Sequence, residues 1–140
     1  MKKYQTFRVV VAAVIKNKEG KFLLGKRKSK DSNLPGFWSL PAGHCEAHAS
    51  SFDTLEKNLK REVWEEIGCK IKIKAYLDSH SWVTPEYFKL TVVFLCSIIA
   101  EKPWPKLETQ AVRWFAIKEL KSMALPPNVL RVLEKATDFS

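Results

Sequence analysis

The first patterned stretch is an almost unbroken apolar run, Phe7-Arg8-Val9-Val10-Val11-Ala12-Ala13-Val14-Ile15, rich in β-branched residues. A run without a polar face predicts a strand buried on both sides. Asn17-Lys18-Glu19-Gly20 turns the chain, and residues 21–27 read as a second strand closing a hairpin with the first. A charged loop leads to Leu34-Pro35-Gly36, and the short aromatic stretch Phe37-Trp38-Ser39-Leu40 is broken by Pro41-Ala42-Gly43. Over residues 51–67 the rhythm changes. Phe52, Leu55, Leu59, Val63 and Ile67 recur every three or four positions, one stripe of an amphipathic helix that Ser50 or Ser51 can cap.

Strict alternation returns in Lys70-Ile71-Lys72-Ile73-Lys74-Ala75-Tyr76-Leu77, a strand with one solvated lysine face. Residues 87–100 form a long buried strand and residues 111–115 a last short one. A helical turn over residues 116–121 follows, then a C-terminal helix opened by Pro126-Pro127, with Val129, Leu130, Val132 and Leu133 facing inward. The expected architecture is a single α/β domain over residues 1–140.

On the long helix the acids Glu62, Glu65 and Glu66 share one face. At about 100° per residue, Glu65 lies about 60° and Glu66 about 40° from Glu62. Glu62 and Glu66 fall at the rim of the apolar stripe, where packing would hold them rigidly at the edge of a cleft. Like charges at this spacing repel, and ligation of a divalent cation would relieve the repulsion. Spacing alone fits a solvated acidic face equally well.

Composition narrows the picture only in places. With 140 residues and 46% hydrophobic residues the chain can bury a real core. It has no apolar run of membrane-spanning length and no signal-type N-terminus, so a soluble cytoplasmic protein is expected. Cys45, Cys69 and Cys96 show no CxxC spacing and suit a reducing compartment as packing residues. The net charge of +9 is spread along the chain; it favours anionic ligands without specifying them, and a dedicated nucleic-acid module is not favoured.

Taken together, Trp38-Ser39-Leu40-Pro41-Ala42-Gly43 and Arg61-Glu62-Val63-Trp64-Glu65-Glu66-Ile67-Gly68-Cys69 resemble the box of the Nudix hydrolases, with Cys69 in the final aliphatic slot. The flanks Val10–Ile15, Leu24-Gly25-Lys26-Arg27, Gly36-Phe37-Trp38 and Val112-Arg113-Trp114-Phe115 are similar to the family's elements, so the resemblance spans most of the chain. The front of the box departs from the pattern. Ala49 stands where the family has Glu, and Asp53 takes the position counted back from Arg61, so ten positions separate Gly43 from the acid instead of six. Asp53 would either orient Arg61 or stabilise the positive end of the helix.

The resemblance implies the Nudix fold, an α/β/α sandwich around a central mixed β-sheet. It implies a Mg²⁺-dependent hydrolase, with Mn²⁺ as substitute, acting on a nucleoside diphosphate linked to a group X. A nucleoside triphosphate or modified nucleotide is favoured. ADP-ribose or nucleotide-sugar hydrolysis, RNA-end hydrolysis, and a nucleotide-binding module that does not cleave are the alternatives. The implied metal ligands are Glu62, Glu66 and Glu65 with the carbonyl of Ala42. Glu65 or Glu62 would serve as base, or the later acid Glu108 with Glu86 and Glu101 behind it; Arg61 completes the catalytic set. Arg27, Gly43 and Phe37 would contact substrate, and Trp82 and Tyr87 are further stacking candidates. His44, Cys45 and His48 lack a fourth ligand for zinc. Trp104, between two prolines, would clamp a loop or join a homodimer.

Overall fold

A computed structural model describes residues 5–28, 37–106, 109–126 and 128–139. Ten elements follow in order: β1 (Phe7–Ile15), β2 (Phe22–Arg27), β3 (Trp38–Ser39), β4 (Ala42–His44), α1 (Thr54–Ile67), β5 (Lys70–Val83), β6 (Phe88–Ala100), β7 (Thr109–Phe115), α2 (Ile117–Leu120) and α3 (Val129–Thr137). The central sheet is mixed and runs β4-β1-β6-β5, with β1 parallel to β6 and antiparallel to β4. A second, antiparallel sheet runs β3-β2-β7.

β1 shows why its sequence carries no polar face. Val11, Ala13 and Ile15 pack into one apolar cluster with Leu59, Val63 and Ile67 of α1. Ala12 and Val14 point the other way, into a cluster with Leu120 of α2 and Val132, Leu133 and Ala136 of α3. Helices therefore cover both faces, the α/β/α sandwich the family resemblance implies. Each fully buried Val, Leu or Ile contributes about 1.5–3 kcal/mol, so α1 is held to the sheet by its stripe rather than by helix propensity. Cys69 and Cys96 are packing residues in this layer, their thiols pushed up to about 11 and about 12, chiefly by burial. Among the described residues no helix is long and apolar enough to cross a membrane.

Four expectations are corrected. β1 and β2 are not paired as a hairpin; they meet only in a single bridge, Lys16 to Phe22, and enter different sheets. Both edges of β1 are taken by β4 and β6, and the intervening turn, with Asn17 Oδ1 accepting from the Glu19 and Lys21 N–H groups and Gly20 at φ 79°, sends β2 away. The long helix starts at Thr54, because Asp53 adopts the left-handed conformation at φ 55° and turns the chain just before it. Phe52 is left 88% exposed and Ser51 Oγ meets Thr54 Oγ1 at 3.3 Å instead of capping backbone.

β5 runs on to Val83 through the polar Asp78-Ser79-His80-Ser81 stretch, carried by its ladder with β6 and by bulges that re-aim its side chains. There Asp78 is buried, receiving Arg131 and Lys135 of α3 at 3.3 Å each, which tethers the C-terminal helix to the sheet. In α3, Leu130 is only half-buried while Val129, Val132 and Leu133 face the core.

Candidate active site

Packing of the α1 stripe against β1 lays the helix alongside β4, the edge strand of the central sheet. Val9, Val11 and Ala13 of β1 pair with Cys45, Gly43 and Pro41, with Ala13 N–H donating to the Pro41 carbonyl and Cys45 N–H to the Val9 carbonyl. In an antiparallel ladder the residue between such pairs turns its own N–H and C=O away from the partner strand. Ala42 is that residue. Its N–H donates to Glu66 Oε2 at 3.0 Å.

One turn earlier on the helix, the Glu62 carboxyl lies directly over Gly43, where any Cβ would overlap it. Gly43 has an ordinary negative φ, so glycine is required here by space and not by backbone conformation. Two successive residues of β4 thus receive two acids spaced i, i+4 on α1. Glu62 is 17% exposed and Glu65 46%.

Arg61 is the cation of this face. Its guanidinium donates to Glu62 Oε1 at 3.0 Å, stands 3.8 Å from Glu65 and reaches the His44 carbonyl at 3.5 Å. The hydrogen bond to Glu62 is the main reason its pKa is raised further. Asp53 takes no part: it precedes the helix, and Glu62, Glu65 and His44 orient Arg61 in its place.

Glu66 sits in the most unfavourable electrostatic position. Burial pushes its carboxyl up to about 8, with the nearby Glu62 and Glu65 charges adding to the rise; the Ala42 N–H and the Arg27 charge oppose it. Arg27 ends β2, and with Ser39, Pro41, Glu66 and Thr109 it lines a narrow cleft between the second sheet and the end of α1. Phe37 is half-buried beside it, its carbonyl accepting from the Arg27 N–H at 3.2 Å.

The structure therefore gathers Arg61, Glu62, Glu65, Glu66, Ala42, Gly43 and Arg27, with Phe37 joined through backbone. Glu108 lies outside the described residues. Glu86 and Glu101 are exposed on connections between strands. Tyr87 is covered by the Arg8 guanidinium, 4.2 Å from its ring centroid. His48 pairs with Glu46 at 3.8 Å, and among the described residues no three acids, histidines or cysteines converge into a ready-made metal cage. Trp104 is a clamp, lying on Gly68 at the end of α1.

Asn58 escaped sequence reasoning. Buried on α1, it accepts from the Glu46 N–H at 2.9 Å and donates to the carbonyls of Glu46 at 3.1 Å and Thr54 at 2.8 Å, pinning the lengthened loop between β4 and α1. The available signal was an asparagine in a helix interior, where its amide is unfavourable unless occupied locally.

This layering and this acid-bearing helix define a hydrolase of one family. A sequence model of the NUDIX domain matches residues 6–135. Phosphatase NudJ of Escherichia coli (strain K12) is 31% identical over 116 residues, 80% of this chain and 70% of that protein. The MutT NUDIX hydrolase of Burkholderia pseudomallei superposes with a TM-score of 0.79 at 24% identity, over 94% of this chain and 98% of that one. The NUDIX domain of Shewanella oneidensis NrtR, solved with ADP ribose, superposes at 0.71 and 19% identity, over 96% of this chain and 87% of that one. The chain belongs to the Nudix family. It is a Nudix-type pyrophosphohydrolase, in a family that acts on small nucleotides with divalent metal ions.

Proposed function

We propose that the chain is a Mg²⁺-dependent hydrolase of the pyrophosphate bond in a nucleoside diphosphate linked to X, with a nucleoside triphosphate or modified nucleotide as the favoured substrate. The observation that carries this reading is the seating of Glu62 and Glu66 on Gly43 and Ala42, with Arg27 beside Glu66.

The donor set fits a hard divalent cation. Glu62, Glu65 and Glu66 lie close enough to repel one another; a cation would relieve that repulsion by drawing their carboxylates together, and the Ala42 carbonyl, turned off the β1 ladder, would give a fourth oxygen. Bound there, Mg²⁺ would polarise the pyrophosphate and neutralise charge on the departing phosphate. Arg61 holds Glu62 in place through a charge-assisted bond. Glu65, the most solvent-accessible of the three acids, serves as general base: it takes a proton from water as the water oxygen bonds to phosphorus and the bridging oxygen leaves with the other phosphate. Arg27 binds a phosphate oxygen of the substrate, Phe37 at the same strand end stacks on the base, and Gly43 leaves the room for Glu62.

The test is release of phosphate, pyrophosphate or nucleoside monophosphate from a panel of nucleoside triphosphates, nucleotide sugars, ADP-ribose, dinucleotides and capped RNA with Mg²⁺ or Mn²⁺. Turnover of one class by the wild type, with products that name the bond cut, supports the reading. A folded wild type that binds a nucleotide and cleaves none of the panel refutes it in favour of a binding module.

A further inference from the structure

The C-terminal end of α1 carries a second group of side chains that the hydrolytic site does not use. Lys106 Nζ stands between two indoles, 4.9 Å from the centroid of Trp64 and 5.6 Å from that of Trp104, and Lys70 Nζ lies 6.0 Å from the Trp64 ring. Part of this arrangement closes the helix. Trp104 N–H donates to the Ile67 carbonyl and Lys106 N–H to the Glu66 carbonyl, each at 2.9 Å, and Lys106 Nζ reaches the Trp64 carbonyl at 3.3 Å. The first two bonds come from main chain, so any residue at position 104 could make its share. Capping therefore does not account for two indoles left 43% and 55% exposed on one surface.

The charge around them is mostly positive. Lys60 precedes Trp64 by one helical turn on the same face, Lys70 and Lys106 flank its ring, and Lys102 lies in the loop that bears Trp104; Glu101 is that loop's opposing charge. Trp64 is about 160° around the helix from Glu62 and from Glu66 and about 100° from Glu65, so this surface faces away from the acids. The two meet at the helix end, because Thr109, whose N–H donates to the Lys106 carbonyl at 2.9 Å, is a wall of the Glu66 cleft.

We propose that the Trp64–Lys106–Trp104 surface binds single-stranded nucleic acid, with bases stacked on the indoles and phosphates held by the surrounding lysines. Lys106 takes part of each ring, and the 43% and 55% of the two indoles left open, within a field of lysines, offer more than one stacking place and more phosphate contacts than a mononucleotide can fill. The net charge of +9 adds long-range attraction for a polyanion. The proposal concerns binding alone and stands whether or not the favoured nucleotide is the hydrolysed substrate.

The experiment is fluorescence anisotropy of a labelled polyuridine strand of roughly a dozen nucleotides, long enough to cover both indoles, at about 50 mM salt. Wild type is compared with Trp64→Ala, with Trp104→Leu, which keeps apolar cover on Gly68, and with Lys18→Ala, which removes one charge in the distant turn. The expected result is saturable binding that either tryptophan substitution weakens at least about five-fold while Lys18→Ala leaves it nearly unchanged. Circular dichroism identifies any misfolded variant, and the other tryptophan substitution then decides. No binding by wild type, equal affinity in the folded tryptophan variants, or competition by uridine monophosphate as effective per nucleotide as the strand itself overturns the proposal.

Discussion

Ala42 donates its backbone N–H to Glu66 Oε2 at 3.0 Å, joining the edge strand of the central sheet to the acid-bearing helix and holding the Glu66 carboxyl inside the protein. The bond draws its geometry from the ladder: the pairs on either side of Ala42 consume the β1-facing groups and leave Ala42 turned toward α1, as His44, two residues on, turns its carbonyl toward Arg61.

A dependence of stability on pH follows. Burial raises the Glu66 carboxyl from the ordinary 4.5 to about 8, so the metal-free folded protein binds this proton more tightly than the unfolded chain does. Stability contributed by the protonated form is intact below about 4.5 and is lost progressively as pH rises toward about 8. Thermal melts in chelator across that window are expected to fall for wild type and to flatten in Glu66→Gln, whose amide stays neutral and whose oxygen still accepts from Ala42. A wild-type profile as flat as the variant's would show that Glu66 is not the titrating group.

If Glu66 ligates the cation as proposed, the same carboxyl couples cation binding to proton release. A ligand must be deprotonated, so Mn²⁺ or Mg²⁺ added near neutral pH has to displace the Glu66 proton. Calorimetric titrations in two buffers of different ionisation enthalpy should report a fraction of a proton released at pH 7 and less at pH 9. Binding heats independent of the buffer would contradict the assignment.

Gly43→Ala tests the seat beneath Glu62. An added methyl overlaps the carboxyl and must move the acid or the helix, a strain of about 1–3 kcal/mol by comparison with overpacked cores. Reduced unfolding free energy together with lost turnover is the expected outcome, and Glu62→Ala in the same chain should recover the stability without the turnover. A Gly43→Ala protein as stable and active as wild type would mean that the carboxyl does not rest there.

Asn58→Ala removes the partner of the Glu46 N–H and carbonyl at the start of an exposed loop, at a cost of about 0.5–1.5 kcal/mol for each bond lost. Denaturant midpoints should fall accordingly, and hydrogen exchange should rise at Glu46 and its neighbours while β1 and β6 stay protected. Exchange unchanged at Glu46 would remove Asn58 from its role as the loop's anchor.

How much of this was legible beforehand depends on the range over which each signal acts. The stripe from Leu59 to Ile67 and the double burial of β1 are local patterns, and both appear in the fold as the periodicity implied. The shared face of Glu62 and Glu66 follows from helix geometry alone; the family box implied the Ala42 carbonyl as their companion ligand but counted Gly43 among the substrate contacts, and its place beneath Glu62 is seen only in the fold.

Where β2 goes was not legible, because strand pairing is decided by which edges of β1 remain open, and β4 and β6 are distant in sequence. Phe52 was misplaced because the stripe carries no mark of the left-handed turn at Asp53 that ends it. The far half of β5, Asp78-Ser79-His80-Ser81, is polar enough to read as loop and becomes strand through its partner β6 and the Asp78 tether to α3. Asp53 as the orienter of Arg61 was a matter of counting along the motif, whereas space gave that task to Glu62, Glu65 and the His44 carbonyl.

Glu62 and Glu66, seated on β4, are proposed to form a divalent-cation-dependent hydrolytic centre. Its most direct test is kcat for the best nucleotide substrate at saturating Mg²⁺ in wild type, Glu62→Gln and Glu66→Gln, with folding verified by circular dichroism. Loss of one ligand charge should lower kcat by more than about 100-fold in each variant, corresponding to several kcal/mol of transition-state stabilisation, while nucleotide binding without metal is retained. Folded variants that turn over within a few-fold of wild type, or a wild type equally active in chelator, would place the chemistry elsewhere in the molecule.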